Sequence, residues 1–441
     1  MAMGFMGMLM MLLTSGGGND LLDYLPTDAY WKAKGVEITV EAMAAELKGA
    51  EPADVAGGVR RLMAIRALGE LKKPAGLAAL RPLFGSKKLF VADYARQAAA
   101  TIEGKPYTRP VPDTKTLWKD VCLLPADCAV VAQVSMAAGK PLDFAALLKG
   151  AAAQLPPAMG MDQAAMMTQL AQMLTMAAER VGNVRIHAIT LGVSGDVGDK
   201  TGHVAIIARG IYNAEAVKVV LGAAAPPPMD IDGATVFSPQ KQMHLIPCSN
   251  ERFVGVFGPR QAPKPTKTVV AALKANGDRP AFDDAMQALV KGIDTSLPMW
   301  AAMRMSEHFR QAPLLAPFDS MTLTGKPDAE GVTALKVVAR GADAQGVKGA
   351  VDEFNAGLEK AKAGIGQALA QMPSIKPIAD FIHSIRVATK GTEVTVTGAL
   401  KGQGAAIAIP MIMFFRVADA RPTRVRPMQP QPRPAQPPAE F

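Results

Sequence analysis

The chain has 441 residues, which is too long for one ordinary core, so two or three domains are expected. Apolar residues make up 49% and charged residues 20%, a composition that is ordinary for a globular protein. The formal net charge of +9 is spread along the chain, and no segment concentrates it as a nucleic-acid-binding surface would require. Nucleic acid is therefore not expected as a partner.

The N-terminal run from Ala2 to Thr14 is almost wholly apolar, and we assign residues 1–19 to a signal or anchor segment. The run is too short for a membrane-spanning helix, which needs about 20 residues. Its length fits the apolar region of a signal peptide, but no Lys or Arg precedes it. Three alternatives stay open: a signal or anchor whose true start lies upstream, a short signal as it stands, or an apolar segment packed on the protein. The first two predict a cell-envelope protein (secreted, periplasmic or membrane-anchored), and the third a cytoplasmic one.

Residues 20–104 are predicted to form a helical domain. Apolar residues recur at helical spacing in the runs Val59–Leu71, Ala75–Phe84 and Phe90–Ile102. Pro74 ends the first run, since proline cannot continue a helix. Short amphipathic helices of this kind bury their apolar stripes by stacking.

Three segments of this domain resemble short bacterial HEAT repeats: Arg66–Leu71, Leu77–Leu83 and Tyr94–Ala99. The resemblance covers residues 38–104, which is fewer repeats than a self-sufficient solenoid needs. It implies a helical array that needs to pack against neighbouring parts of the chain for stability. Such an array either binds macromolecules or is purely structural. An ordinary helical subdomain is the alternative.

After a proline-punctuated linker at residues 105–114, the chain contains an internal repeat. The segments Ile186–Gly222 and Phe318–Phe354 each predict a strand, a polar turn, a second strand ending in Ala-Arg-Gly, and a helix. The Ala-Arg-Gly tripeptides contain Arg209 and Arg340, which lie 131 positions apart.

The repeat extends outward into two units, residues 115–263 and 264–416. Each opens with Leu-Pro and a strand, and each is expected to close with a hairpin, around Thr235–Phe257 and Ser384–Gly398. The predicted fold is therefore α+β multidomain: a short HEAT-like helical array followed by two tandem, pseudo-symmetric α+β units, each an antiparallel sheet covered on one face by helices.

The two units resemble a class of bacterial envelope domains that open with a Leu-Pro-Ala-Asp-like strand, here Leu124–Asp127. The segment Asn276–Leu289 before the second strand is of the same type. The resemblance implies an envelope protein, and it predicts no particular activity.

The three cysteines, Cys122, Cys128 and Cys248, form no CxxC motif, so no zinc or thioredoxin-like site is expected. A disulfide between the first two is possible in an oxidising compartment, but buried free thiols are favoured. No cofactor, metal site or catalytic residue is predicted.

Two histidines, His187 and His203, fall on adjacent predicted strands. They could bind a metal together with Asp196, but polar positions that face solvent are the favoured interpretation. Asp196 and Asp199 lie in a Gly-rich loop that lacks the closing Glu of an EF-hand, and a hairpin turn explains them equally well.

The repeated Arg209 and Arg340 are the most interesting polar pair. At a strand end before a helix, each could bind an anion, although a structural ion pair in both copies is favoured. The tail, residues 417–441, is rich in Pro, Arg and Gln and is expected to be disordered, either a solvated terminus, a ligand for an aromatic groove or a basic tether.

The sequence favours a non-catalytic, envelope-associated scaffold or binding protein with a protein partner. The alternative is an enzyme or small-ligand carrier with a cleft between the two α+β units, lined by Arg209, Arg340 or the Asp196 loop.

Overall fold

The computed structural model of the chain combines helices with one large antiparallel sheet. It describes residues 21–50, 52, 54–107, 113–135, 176, 179–180, 182–194, 202–240, 242–258, 263–275, 277, 279–328, 332–371 and 376–401. The N-terminal segment, the Asp196 loop and the Pro-rich tail lie outside these residues.

The α-helices are numbered in chain order. They are α1 Thr27–Ala33, α2 Val40–Glu46, α3 Val55–Leu71, α4 Leu77–Leu80, α5 Leu89–Ile102, α6 Thr114–Val121, α7 Ala214–Ala224, α8 Pro263–Ala275, α9 Asp284–Lys291, α10 Glu307–Arg310, α11 Ala344–Gln371 and α12 Lys376–Ser384. Short 3-10 turns flank α4 at Pro74–Gly76 and Arg81–Gly85, and a further one covers Leu21–Tyr24.

The strands form a single sheet in the order β11-β12-β10-β9-β8-β1-β2-β3-β7-β6-β5-β4. Their bounds are β1 Cys128–Ser135, β2 Val184–Ser194, β3 Val204–Tyr212, β4 Met229–Ile231, β5 Ala234–Gln240, β6 Met243–Ser249, β7 Arg252–Phe257, β8 Met299–Arg304, β9 Phe318–Pro327, β10 Val332–Gly341, β11 Arg386–Lys390 and β12 Glu393–Lys401.

The sequence predicted two separate sheets, and that prediction is wrong. The opening strands β1 and β8 pair with each other antiparallel, with Ala132 opposite Ala301 at the middle of the ladder. The pairing makes one continuous sheet, because each unit contributes the strand that would otherwise be its exposed edge. We call this ladder the central seam.

A buried side-chain network crosses the central seam. The amide of Gln133 on β1 donates to the Leu117 carbonyl (3.0 Å) and to the Thr190 hydroxyl on β2 (3.1 Å). Its oxygen accepts from the indole N–H of Trp300 on β8 at 3.3 Å. A buried amide is costly unless its donors and acceptor are bonded, so the satisfied Gln133 fixes the register of three neighbouring strands.

Strand order on the two sides of the seam follows the same pattern. Reading outward, one side runs β1, β2, β3, β7, β6 and the other β8, β9, β10, β12, β11. On each side, two sequential strands are followed by a helix and then by a closing hairpin that adds in reverse order. The hairpin β11–β12 turns at Gly391, whose φ of +60° is the left-handed conformation that glycine adopts readily.

The glycine of each Ala-Arg-Gly tripeptide lies where another backbone segment passes very closely. A Cβ on Gly210 would lie 1.9 Å from the Arg185 carbonyl oxygen, and one on Gly341 would lie 2.3 Å from that of Pro317. Both distances are far inside van der Waals contact. The repeated glycine is therefore required by the crossing of the chain at the end of β3 and of β10.

The helical domain packs against the sheet through a shared hydrophobic core and is not a separate domain joined by a linker. One hydrophobic core joins residues of α2, α3 and α5 to residues of β2, β3 and α7. Helices α3 and α5 approach so closely that a Cβ on Gly69 would lie 3.0 Å from Ala98. Asp54 caps α3 by accepting from the Gly57 amide, and Lys72 ends it in the left-handed conformation.

The sequence also predicted that helices cover one face of each unit, and this is wrong for the first half only. In the first half, helices α6, α8 and α9 cover one face, while the helical domain and α7 cover the other. In the second half, α11 and α12 pack on one face, with Val347 and Phe381 among the contacts. Many side chains of the opposite face of β9 to β12 are exposed or half-buried.

We predict that Gly210→Ala lowers the free energy of unfolding by about 3 kcal/mol, because the new Cβ cannot coexist with the Arg185 carbonyl. The matched control is Gly349→Ala in the exposed face of α11, where a Cβ meets nothing within 4 Å. That change should raise stability by about 0.5–1 kcal/mol through the lower entropy of the unfolded chain. Urea denaturation measures both, and an unaffected Gly210→Ala variant would contradict the crossing.

Candidate functional site

Arg209 lies in a buried ion cluster and is not available to a ligand. Its guanidinium donates twice to the Asp120 carboxylate of α6, at 2.5 and 2.7 Å. Arg252, opposite Arg209 on β7, approaches the same carboxylate at 2.9 Å. Asp120 and Arg209 are almost fully buried, so the cluster anchors α6 to β3 and β7.

Arg340 occupies the matching position in the second half, in a different environment. It lies opposite Glu393 on β12 and pairs with it at 2.9 Å, with both side chains substantially exposed. In the first half, the residue opposite the repeated arginine is Arg252 on β7, and Asp120 of α6 pairs with both arginines. In the second half, the residue opposite is Glu393 on β12, which pairs with Arg340 itself. The two repeated arginines are thus ion-paired in both halves, one buried and one on an open surface.

A second buried ion pair joins the helical domain to the sheet, and sequence reasoning missed it. Arg185 at the start of β2 lies 2.6 Å from Asp93 of α5, with both side chains almost fully buried. The Tyr107 hydroxyl donates to Asp93 at 2.7 Å, and burial, followed by this hydrogen bond, raises the pKa of that hydroxyl. Arg185 also lies over the ring of Tyr94. Nothing in one sequence separates Asp93 from an ordinary exposed helical acid.

The two histidines do not form a shared site. His187 and His203 are both buried, which corrects the prediction that they face solvent. Their backbones are out of register: His203 pairs with Ser194 at the far end of the β2–β3 ladder from His187. His203 instead lies 3.4 Å from the Asp127 carboxylate. The third proposed ligand, Asp196, and its neighbour Asp199 lie outside the described residues.

Within the described part of the chain, no group of three or more His, Cys, Asp or Glu is arranged to hold a metal ion. All three cysteines are free thiols. Burial raises the pKa of the Cys128 thiol well above its usual range. Cys248 is exposed as a whole residue, but its sulfur lies 3.4 Å from the Ile246 carbonyl and local burial raises its pKa to about 11. Protonated thiols are poor nucleophiles.

The open face of the second half-sheet is the first candidate binding surface. Directly opposite residues of an antiparallel pair share a face, so the register identifies its members. We call it the cationic face; its charged members are Lys326, Lys336, Arg340, Arg386, Lys390, Lys401 and Glu393, and its hydroxyl members are Ser320, Thr322, Thr324, Thr395 and Thr397.

The cationic face carries six positive charges against one carboxylate, and its six cationic side chains are exposed. Lys336 lies between Thr324 and Thr397 on the neighbouring strands, and Lys390 lies opposite Glu393. Lysine and arginine side chains beside threonine hydroxyls supply hydrogen-bond donors over a broad, regular surface. Such a surface suits an extended anionic partner.

A cleft at the junction of the two units is the second candidate. It has a volume of about 410 Å³ and is lined by Thr114, Lys115, Trp118, Lys119, Thr295 and Ser296. The first four residues belong to α6 of the first unit, and the last two belong to the loop between α9 and β8 of the second. This cleft differs from the one that the sequence predicted between the units, because Arg209 and Arg340 do not line it.

Comparisons with known proteins give little guidance. The sequence matches no protein-family profile and no curated protein. A solved structure described as "Structure of crystal form I of TP0453" is similar at 9% identity and a TM-score of 0.34, over 68% of this chain and 98% of that one. A TM-score this low does not establish a shared fold. Among the described residues, none of the helices combines the length and apolar character needed to cross a bilayer.

The contrast between the two repeated arginines is testable. We predict that Asp120→Asn lowers the free energy of unfolding by about 3–5 kcal/mol, since it leaves the buried Arg209 without its counterion. Glu393→Gln removes the corresponding charge from Arg340 and should cost less than about 1 kcal/mol, because both groups reach solvent. Urea denaturation of the two variants measures the difference. Equal costs would show that the two ion pairs have the same role.

Proposed function

We propose that this chain is a non-catalytic binding protein of the cell envelope that docks an acidic protein partner on the cationic face. The observation that carries the proposal is the unequal cover of the sheet. The first half is enclosed by helices on both sides, whereas one side of β9 to β12 presents six exposed cationic side chains to solvent.

The composition of the cationic face favours a protein over other polyanions. Its large exposed side chains are Lys and Arg, with Thr between them, and none of its members is aromatic. Single-stranded nucleic acid is usually bound by aromatic stacking platforms. Amphipathic helices that lie in a membrane surface carry large apolar residues beside their cations. A protein surface rich in Asp and Glu needs neither, and Arg and Lys match its carboxylates directly.

A non-catalytic role is supported by the state of the polar groups that the structure describes. Asp93, Asp120, Arg185 and Arg209 are engaged in buried ion pairs that hold elements together. The thiols of Cys128 and Cys248 have raised pKa values. These groups stabilise the fold, which leaves exposed surfaces as the places where function resides.

We also infer that the two halves of the sheet arose by duplication and that the helical domain is HEAT-like. Equivalent strand order, the matching Ala-Arg-Gly tripeptides and the close backbone crossings at Gly210 and Gly341 support the duplication. Helices α3 and α5, which contain two of the three HEAT-like segments, support the second inference. Because this domain shares a core with β2 and β3, its role here is to brace the sheet.

Envelope localisation rests on the apolar run Ala2–Thr14. Fractionation of cells that express the full chain tests it directly. Recovery in the envelope fraction, with this run either cleaved or retained, supports the proposal. Recovery of the intact chain in the cytoplasm contradicts it.

We predict that the triple change Lys336→Glu, Lys390→Glu and Lys401→Glu weakens binding to polyglutamate, a defined acidic polypeptide, by at least about tenfold at low salt. Three attractive charges become repulsive, and exposed charges act over roughly 10 Å at 0.1 M salt. Fluorescence anisotropy of labelled polyglutamate measures the affinity. The matched control changes Lys48, Lys87 and Lys360 to Glu, which alters the net charge equally at exposed sites away from the cationic face.

Equal loss in both variants would mean that net charge, not the cationic face, drives binding. Tighter binding of anionic lipid vesicles or single-stranded DNA than of polyglutamate, with the same dependence on Lys336, would contradict the proposal that the partner is a protein.

In native envelope fractions, zero-length carbodiimide coupling should join Lys326 or Lys336 to partner carboxylates. Mass spectrometry identifies the joined residues, and couplings at Lys48 and Lys87 alone would contradict the assignment.

A further inference from the structure

The cleft between the two units combines cations, hydroxyls and one aromatic ring. Lys115 and Lys119 are one helical turn apart on α6 and therefore lie on the same side of the helix. Thr295 and Ser296 contribute from the loop before β8, across the junction. None of the six described residues that line the cleft is acidic, so a ligand there meets two positive charges.

Two carboxylates lie near the cleft, and both are engaged by their own neighbours. Asp113 accepts from the Thr116 amide at 2.7 Å, and hydrogen bonds from Thr116 hold the pKa of its carboxyl below the usual range. Asp294 accepts from the Ser296 hydroxyl at 2.5 Å, and this bond likewise lowers its pKa. The Lys115 and Lys119 ammonium groups form no ion pair among the described residues.

Trp118 supplies the apolar wall of the cleft. Its ring is only partly buried: it packs against the core between the sheet and α8 and α9, and it also lines the cleft. The other two tryptophans, Trp31 and Trp300, are fully buried. An indole with an accessible surface beside two lysines offers a stacking or apolar contact next to anion-binding groups.

We propose that this cleft is a binding site for a small organic anion that carries a flat ring. The ring lies against Trp118, and a phosphate, sulfonate or carboxylate group is bound by Lys115 and Lys119, with the Thr295 hydroxyl as a further donor. A volume of about 410 Å³ is within the range of small-molecule sites. The site is separate from the cationic face, and its test does not depend on a protein partner.

Phenyl phosphate is the probe, because it has both parts of the proposed ligand and does not emit where tryptophan does. Its binding should change the emission of Trp118 saturably, since Trp31 and Trp300 are shielded from it. Inorganic phosphate, which has the anionic group only, and benzyl alcohol, which has the ring only, should each bind at least about tenfold more weakly than phenyl phosphate. The double change Lys115→Gln and Lys119→Gln should weaken phenyl phosphate binding by at least about tenfold, as expected for loss of charge-assisted hydrogen bonds.

The matched control is Lys48→Gln with Lys87→Gln, which removes the same charge from exposed sites on the helical domain and should leave the affinity unchanged. Trp118→Ala, measured by calorimetry with circular dichroism as a check on folding, should also weaken binding. An unchanged affinity in the Lys115 and Lys119 variant overturns the proposal, and so does inorganic phosphate that binds as tightly as phenyl phosphate. Because the lysines are exposed, their replacement tests the site even if Trp118→Ala fails to fold.

Discussion

The pairing of β1 with β8 is the contact on which the rest of the structure depends. It joins two half-sheets into one, and its centre is held by Gln133, whose amide bonds to the neighbours of β1 on both sides. It also brings α6 beside the loop before β8, which creates the cleft around Trp118. Without this seam, neither the continuous sheet nor the junction between the units would exist.

The unequal cover of the two halves gives each a different role. The first half is enclosed by helices on both sides and cross-linked by two buried ion pairs, Arg185 with Asp93 and Arg209 with Asp120. A buried ion pair adds little net stability over apolar packing but strongly penalises arrangements that separate its members. The first half thus specifies one arrangement of helices on strands. The second half, where none of the described helices covers the cationic face, supplies exposed donors.

The positions of several helices and strands could be predicted from the sequence, but the pairing of strands distant in the chain could not. Alternation, turn residues and the Ala-Arg-Gly repeat located β2, β3, β9 and β10, and the helical runs located α3 and α5 within a few residues. The central seam was not predicted, because nothing in the sequence of β1 identifies its partner strand, whose Ala301 lies 169 positions from Ala132. Asp120 and Asp93 look like ordinary helical acids, and only the fold reveals that each faces a buried arginine. The prediction that His187 and His203 face solvent was wrong because it assumed that a polar residue in a strand is exposed.

The symmetry of the central seam has a consequence for the ancestry of the chain. Ala132 lies opposite Ala301, and the register runs equally in both directions from that pair. An antiparallel ladder of this kind can be formed by two identical strands related by a twofold axis. A single ancestral unit could therefore have closed its exposed edge by assembling as a homodimer. Fusion of two such units would then convert a concentration-dependent association into an intramolecular one, in which each edge strand always has its partner in the same chain.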